Sequence, residues 1–363
     1  MNPYILHVIT TIDLGGAEKQ LLTLATCQRD AGFEVEVVFL KDKPTLLSSF
    51  LESGVKVNSS FADARFWKQC LKLKRMQRRK NLVIHAHLPR AEMLCAISLK
   101  PDIFIVTRHN SEPFFPQGPS FLSKLLSRFV LKRAFTSISI SKAVANYLKI
   151  SGEIKGSEES NVIYYGLAST SVWSKNRREN KLQAIQIGTV SRLVPQKNLP
   201  LLLHTLKELN LEGSPGFELS VLGVGPLYNE LKSLAMMLGI GHAVQWKGQA
   251  NDVTSFYRSL DAFVLTSNYE GFGLVLLEAM SQGIPVIARK VSAIPEVMGE
   301  QHPGLIDSHQ PIDLARKIRE ILEDNEKLNE CLQYQARQLS KFTIKETQLA
   351  HHRLYMRLLE QRK

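Results

Sequence analysis

The chain is poor in the features that would place it outside a reducing compartment or within a membrane. Its four cysteines, Cys27, Cys70, Cys95 and Cys331, show no close metal or redox spacing and read as reduced core residues of a cytosolic protein. No apolar run approaches the roughly 18 to 20 residues that a spanning helix needs. The opening Met1-Asn-Pro-Tyr-Ile-Leu-His-Val-Ile enters a strand pattern almost at once, without a basic leader, apolar core and cleavage site in series. A cytoplasmic protein is expected, soluble or held only at a membrane surface. The first strand leads into Asp13-Leu-Gly-Gly-Ala17, not a Gly-x-Gly-x-x-Gly turn, and Leu40-Lys41 ends the second where an acidic residue would bind a ribose. A nicotinamide-dependent dehydrogenase is thereby disfavoured. No RNA- or DNA-binding motif is present and no aromatics are interleaved with the basic residues, so no nucleic-acid partner is expected.

What is present begins with size and charge. With 363 residues, 44% of them hydrophobic, the chain can bury two ordinary cores. The net charge of +12 is unevenly shared: residues 1–170 hold 23 Lys+Arg against 14 Asp+Glu, and the remainder 23 against 20. Much of the excess comes from Lys68–Lys80 and Phe121–Arg133. In the second segment Lys124, Arg128 and Lys132 recur every four residues, while Leu122, Leu125, Leu126 and Phe129 mark the opposite side. This basic amphipathic helix has two readings: core packing with a solvated basic face, or docking on anionic lipid headgroups.

Strand alternates with helix along both halves. Strands are expected at Tyr4–Thr10, Glu34–Leu40, Leu82–Ala86, Ile103–Thr107, Ser137–Ile140 and Asn161–Tyr164, with helices such as Lys19–Ala31 and Lys142–Lys149 between them. The pattern restarts with strands near Ala184–Val190, Glu218–Leu222, Val244–Lys247, Ala262–Leu265 and Pro285–Ala288. Polar Ala168–Lys181 reads as the connection, Ile312–Leu339 as a late helical region, and Thr343–Leu359 as a helix returning to the first domain. The expected boundaries are 1–168, 169–342 and 343–363. The fold class is α/β, with two doubly wound parallel sheets facing across a cleft beyond their strand ends.

The most informative stretch is Asn268-Tyr-Glu-Gly-Phe-Gly-Leu274, which joins a buried strand to a helix whose first turn is expected over Phe272–Leu274. A glycine turn of this kind aims backbone N–H groups and a positive dipole end at a phosphate or diphosphate. Glu278, expected about two turns into the helix, would reach a ribose hydroxyl pair, with Glu270 closer to the reacting group. Arg192 and Lys197 follow the first strand of the second half; they are either solvated or suited to neutralising a diphosphate leaving group without a metal. Gly15 and Gly16 are either a simple turn or a close backbone approach to a diphosphate. His109 ends a strand, as a structural histidine or as a contact to a substrate hydroxyl. His85 and His87, flanking Ala86, are expected on opposite sides of their strand with no carboxylate or cysteine set beside them, so no metal site is expected.

Together, Gly15-Gly-Ala-Glu18, Thr107-Arg-His109, Ser141-Lys142, Val162-Ile-Tyr-Tyr-Gly166, Gly188-Thr-Val-Ser-Arg192 with Gln196-Lys-Asn198, Glu270-Gly-Phe-Gly273 and Glu278-Ala-Met280 resemble glycosyltransferase family 4. The resemblance spans nearly the whole chain. It implies the GT-B architecture of two facing Rossmann-like domains, an acceptor site in the first and a nucleotide-sugar site in the second. It also implies transfer with retention of anomeric configuration and no essential metal or other cofactor. By matched position, Arg192 and Lys197 would grip the donor diphosphate and Glu278 the ribose. Glu270 and the backbone of Phe272, Gly273 and Leu274 would hold the donor sugar and nearest phosphate, with Gly16 against the diphosphate and His109 beside the transferred sugar. The base would be read around Trp246-Lys-Gly248, which does not discriminate uridine from guanosine. The chain departs from the family at Ala168, where an aspartate is usual, and at Ser292-Ala293, where a glycine pair is usual.

For the acceptor, the aromatic, proline-rich loop Glu112–Phe121 beside the basic helix suggests a lipid-linked or surface-polysaccharide glycan handled at the membrane face. A small soluble acceptor is the competitor within the enzyme class. A sugar-nucleotide-binding scaffold without activity is the competitor outside it.

Overall fold

A computed structural model of the chain describes residues 3–41, 44–116, 118–154, 160–169, 184–211, 216–250 and 253–362. The connection expected at Ala168–Lys181 therefore lies, from residue 170 onward, outside the described residues. The chain divides into two compact units, Met1–Ser169 with Phe342–Lys363, and Thr170–Lys341.

The first unit runs β1 (Tyr4–Ile9), α1 (Gly16–Asp30), β2 (Glu34–Phe39), α2 (Leu47–Glu52), β3 (Lys56–Asn58), α3 (Phe66–Met76), β4 (Leu82–His87), α4 (Pro89–Ser98), β5 (Phe104–Arg108), α5 (Ser120–Arg133), β6 (Thr136–Ser139), α6 (Lys142–Ile150) and β7 (Asn161–Val162). All its strands are parallel, in the order β3-β2-β1-β4-β5-β6-β7. Helices cover both faces, so the strands carry near-continuous apolar runs rather than an alternation. Leu6, Val8, Ile84, Ala86 and Val106 join one core, while Ile5, Ile9, Val83 and Ile105 join another on the opposite face.

The second unit runs β8 (Ile185–Val190), α7 (Leu199–Leu211), β9 (Phe217–Leu222), α8 (Tyr228–Met237), β10 (Val244–Gly248), α9 (Val253–Ser259), β11 (Ala262–Leu265), α10 (Leu274–Ser281), β12 (Val286–Arg289), α11 (Ile294–Met298), β13 (Leu305–Ile306), α12 (Pro311–Glu323) and α13 (Asn325–Leu339). Its parallel order is β10-β9-β8-β11-β12-β13, again reversing direction beside the first strand. The late helical region expected over Ile312–Leu339 consists of two helices, α12 and α13. Asp324 ends the first and caps the second, its carboxylate accepting from Glu326 N at 2.8 Å and Lys327 N at 3.2 Å.

The last helix, α14 (Ile344–Gln361), belongs to the first unit. Leu167 N donates to Phe342 O and Ile344 N to Leu167 O, both at 2.9 Å, which pins the start of α14 to the end of that unit's sheet. Gly166 allows this approach, since a Cβ there would meet the Thr343 backbone at 2.5 Å. Tyr355 and Leu358 then bury into the core that holds Ile5 and Val37.

Helix α5 corrects an expected face. It turns Ser123, Ser127 and Val130 inward and packs Leu126 against the core, but leaves Leu122, Leu125 and Phe129 exposed, so core packing accounts for only one residue of that stripe. Among the described residues no helix is long and apolar enough to cross a membrane.

Candidate functional site

In the second unit the loops at the carboxyl ends of β8, β9, β10 and β11 are stitched together. Asn268 N donates to Gln196 O at 2.8 Å, and the Gln196 side-chain NH2 donates to Tyr269 O at 3.0 Å. Thr266 Oγ1 donates to Lys197 O at 3.1 Å, fixing the β8 loop onto the β11 loop. The β9 turn is glycine at 223 and 225 because a Cβ at either position would enter the backbone of Ser191 or Leu193. Gly223 N in turn donates to Gly248 O at 2.6 Å.

Within this frame Lys197 and Glu270 are in direct contact, Nζ to Oε1 at 2.6 Å. Glu270 is 5% exposed, and Ser267 Oγ donates to the same carboxylate oxygen at 2.6 Å. A buried carboxylate is tolerated here because an ammonium and a hydroxyl satisfy it. Arg192 stands exposed on the β8 loop. Arg289, ending β12, is buried and donates to Ser267 O at 3.2 Å and Asn268 Oδ1 at 3.0 Å, which braces the loop that carries Glu270.

Helix α10 begins at Leu274, later than expected. Gly273 is its N-cap in the left-handed region (φ 89°, ψ 51°), so Phe272 lies outside the helix. Glu278 is accordingly about one turn in, not two; its Oε2 accepts from the Tyr257 hydroxyl at 2.9 Å. Burial, with Glu278 beside it, pushes the Tyr257 phenol well up, so the hydroxyl stays a donor. Trp246 packs edge-on to Tyr228, and Gly248 has φ 63° at a register irregularity of β10.

The remaining expected residues belong to the first unit. Gly15 caps α1 in an extended conformation, with the Glu18 side chain packed against it, and Gly16 is exposed. His109 has both ring nitrogens engaged: Nδ1 meets the Tyr165 hydroxyl and Nε2 lies 3.2 Å from His87 Nδ1. The expectation that His85 and His87 face opposite sides is wrong. Two residues apart on one strand they share a face, with ring centroids 4.1 Å apart, and His7 of β1 joins them.

By spacing, His7, His85 and His87 are a group able to hold a metal ion, with candidate ligand atoms within 4.8 Å of one another. Each of their nitrogens already has a hydrogen-bond partner. His7 meets His87 Nε2 at 3.0 Å and Gln28 Oε1 at 2.8 Å; His85 meets Tyr355 OH at 2.8 Å and Thr107 Oγ1 at 2.6 Å. The set is thus satisfied by hydrogen bonds alone. Burial pulls all these rings toward the neutral form, His7 to about 4 and His109 to about 3, and His85 and His87 well below the ordinary histidine value. His7 was not singled out in the sequence. Its signal was a lone polar residue in the buried run Tyr4–Ile9.

Two doubly wound parallel-sheet units, the second with charged residues gathered at its strand ends, make up the GT-B fold class. The sequence profile for "Glycosyltransferase Family 4" matches residues 14–166 and that for "Glycosyl transferases group 1" matches 173–338. The chain belongs to this family and is an enzyme of the hexosyltransferase type. Its relatives include the lipopolysaccharide core biosynthesis mannosyltransferase LpsB of Rhizobium meliloti, 26% identical over 81% of this chain and 79% of LpsB. The uncharacterized glycosyltransferase MJ1178 of Methanocaldococcus jannaschii is 26% identical over 71% of this chain and 70% of its own length. Among solved structures, Anabaena Alr3699/HepE in complex with UDP and glucose shares the fold, with a TM-score of 0.82 over 97% of this chain and 99% of that one, at 21% identity.

Proposed function

We propose that this enzyme transfers a hexosyl group from a UDP-sugar, or failing that a GDP-sugar, to a hydroxyl of a lipid-linked or surface-polysaccharide acceptor. Transfer retains the anomeric configuration and requires no metal. The observation that carries this reading is the 2.6 Å contact of Lys197 with Glu270 beside a glycine-capped helix start. A cation held by a buried carboxylate is preorganised for a diphosphate, so little is spent on ordering it when charge develops on the leaving group. Arg192 would add a second cation with a forked donor set.

In the proposed step the acceptor oxygen forms a bond to the anomeric carbon on the face from which the diphosphate departs. The carbon–oxygen bond to that diphosphate breaks, and a leaving phosphate oxygen takes the acceptor proton. Glu270 would orient donor hydroxyls rather than attack, and Glu278, freed or shared with Tyr257, would bind the ribose. The relatives support the donor and acceptor classes: HepE was solved with UDP and glucose, and LpsB is named for lipopolysaccharide core biosynthesis.

For the acceptor, α3 packs on α4 and α4 on α5, and this layer carries exposed Trp67, Leu71, Phe121, Leu122, Leu125 and Phe129 among its lysines and arginines. Phe121, at the start of α5, is 72% exposed. Apolar side chains ringed by cations fit an anionic lipid surface, where a lipid-linked acceptor would be found.

The test is metal-free calorimetry with UDP, GDP, ADP and CMP, repeated on Arg192→Ala. Selective binding of one nucleoside diphosphate, lost in the variant, supports the reading and names the base. Binding of none of the four overturns it.

A further inference from the structure

Of the chain's ten histidines, five lie together inside the first unit: His7, His85, His87, His109 and His351. The order of their hydrogen bonds fixes which nitrogen of each ring carries its proton. Gln28, on α1 and 1% exposed, presents its side-chain oxygen to His7 Nε2 at 2.8 Å and its NH2 to the Tyr355 hydroxyl at 3.4 Å. An amide oxygen only accepts, so His7 Nε2 must carry the hydrogen. A neutral imidazole has one N–H, which leaves His7 Nδ1 as an acceptor and makes His87 Nε2 its donor. The same step repeats once more: His87 Nδ1 accepts from His109 Nε2, and His109 Nδ1 accepts from the Tyr165 hydroxyl.

A second branch starts from the other end of the same amide. The Gln28 NH2 donates to the Tyr355 oxygen, whose single hydrogen then goes to His85 Nδ1, and His85 Nε2 donates to Thr107 Oγ1. Every bond in both branches then has one donor and one acceptor, and His7, His85, His87 and His109 are all Nε2–H tautomers. His351 is the contrast. Its Nδ1 lies 2.7 Å from the Thr347 carbonyl oxygen, which can only accept, so His351 must be the Nδ1–H tautomer.

We propose that Gln28 is a positioning residue that sets the tautomer of His109 through His7 and His87, so that His109 carries its hydrogen on Nε2 and keeps Nδ1 as an acceptor. Turning the amide over would reverse every bond and leave His109 with its lone pair on Nε2. An imidazolium anywhere in the chain would place two donors face to face and break it. The consequence for transfer rests on the reading of His109 beside the donor sugar: with its one N–H given to His87 and its Nδ1 lone pair taken up by the Tyr165 hydroxyl, the ring is held fixed and neutral and cannot remove the acceptor's proton. That division of labour matches a step in which the leaving phosphate takes the proton.

The test is two-bond 1H–15N correlation NMR of the full chain with 15N-labelled histidine at pH 7.5, which reads each tautomer directly. The expected result is Nε2–H for His7, His85, His87 and His109 and Nδ1–H for His351. Gln28→Met removes both ends of the amide at similar volume and should turn the single His109 tautomer into a mixture. His87→Gln keeps an acceptor for His109 and a donor for His7, so it should preserve the His109 pattern, whereas His87→Leu should release it. If Gln28→Met proves unstable, this second pair decides the matter.

His109 found as Nδ1–H or charged in the parent chain overturns the proposal, as does a His109 pattern unmoved by either disruptive change. So does a shift of His7, His85 and His87 on adding Zn2+ at stoichiometric amounts, which would make the cluster a metal site. A kinetic arm separates the proposal from the reading of function. With the lock lost, kcat should fall at least tenfold with the donor KM unchanged. A mixed tautomer with unaltered turnover would remove His109 from the transfer step while leaving the role of Gln28 intact.

Discussion

Ser292 lies at φ 52°, in the left-handed region that disfavours a side chain, and it stands where the family usually carries a glycine pair. The residue is exposed, so nothing packed would be lost by removing its hydroxymethyl group. Ser292→Gly should therefore raise stability by up to about 1 kcal/mol, read as a higher urea midpoint at an unchanged slope. Lys197→Ala acts on activity instead. It should slow transfer by two orders of magnitude or more with a native circular-dichroism spectrum, and unchanged turnover would remove Lys197 from the leaving-group role. Glu270 and Lys197 were legible in the sequence because their loops follow buried strands and hold motif residues in fixed order. Ser267, Arg289 and His7 were not. Each acts through a contact made across elements, as when Arg289 of β12 braces a loop that follows β11. The facing of His85 and His87 was misread for a simpler reason, since a spacing of two on a strand means one side, not two.

Elements were legible where burial on both faces made long apolar runs, as in β1, β4 and β11, and less so at edges and breaks. The edge strands β3 and β13 have three and two residues, too short to show a period. The break between α12 and α13 rests on one carboxylate, invisible to a hydrophobic pattern that continues on both sides. Asp324→Ala should cost about 1 kcal/mol by leaving the Glu326 and Lys327 N–H groups without that partner, with no effect on nucleotide binding. At the other end of the scale of severity, Gly166→Ala drives a methyl group into the Thr343 backbone. It should cost about 1–3 kcal/mol or more by chemical denaturation, since a strand end and a helix start would have to part. Helix α5 shows the limit of an amphipathic pattern, because its inward face pairs Val130 with two small polar residues, Ser123 and Ser127, that no hydrophobic scale selects.

For the molecule as a whole, the buried histidines set a pH dependence. In the folded state His7 and His351 are pulled down to about 4 and His109 to about 3, against an ordinary value of 6.5. Between those values the unfolded chain binds protons that the folded chain refuses, so stability is full above about pH 6.5 and falls as pH drops toward 4. Urea midpoints at pH 7.5 and 5.5 should differ markedly, and His351→Gln should reduce the difference. The exposed apolar and basic layer of α3–α5 predicts a second whole-molecule property. Vesicles containing anionic lipid should retain the protein at low salt, less so at high salt, and Phe121→Ser with Leu125→Ser should weaken that retention at either ionic strength.

The return of α14 bears on how the chain is made. Residues 1–169 lack Tyr355 and Leu358 until the final segment is available, whereas Thr170–Lys341 forms a unit from contiguous sequence. A polypeptide emerging from its N-terminus can thus close its second half on contiguous sequence alone, while its first half waits for the segment carrying α14 before Tyr355 and Leu358 complete its core. The half synthesised earliest is the one completed last, and it spends the interval as the segment most in need of protection from aggregation.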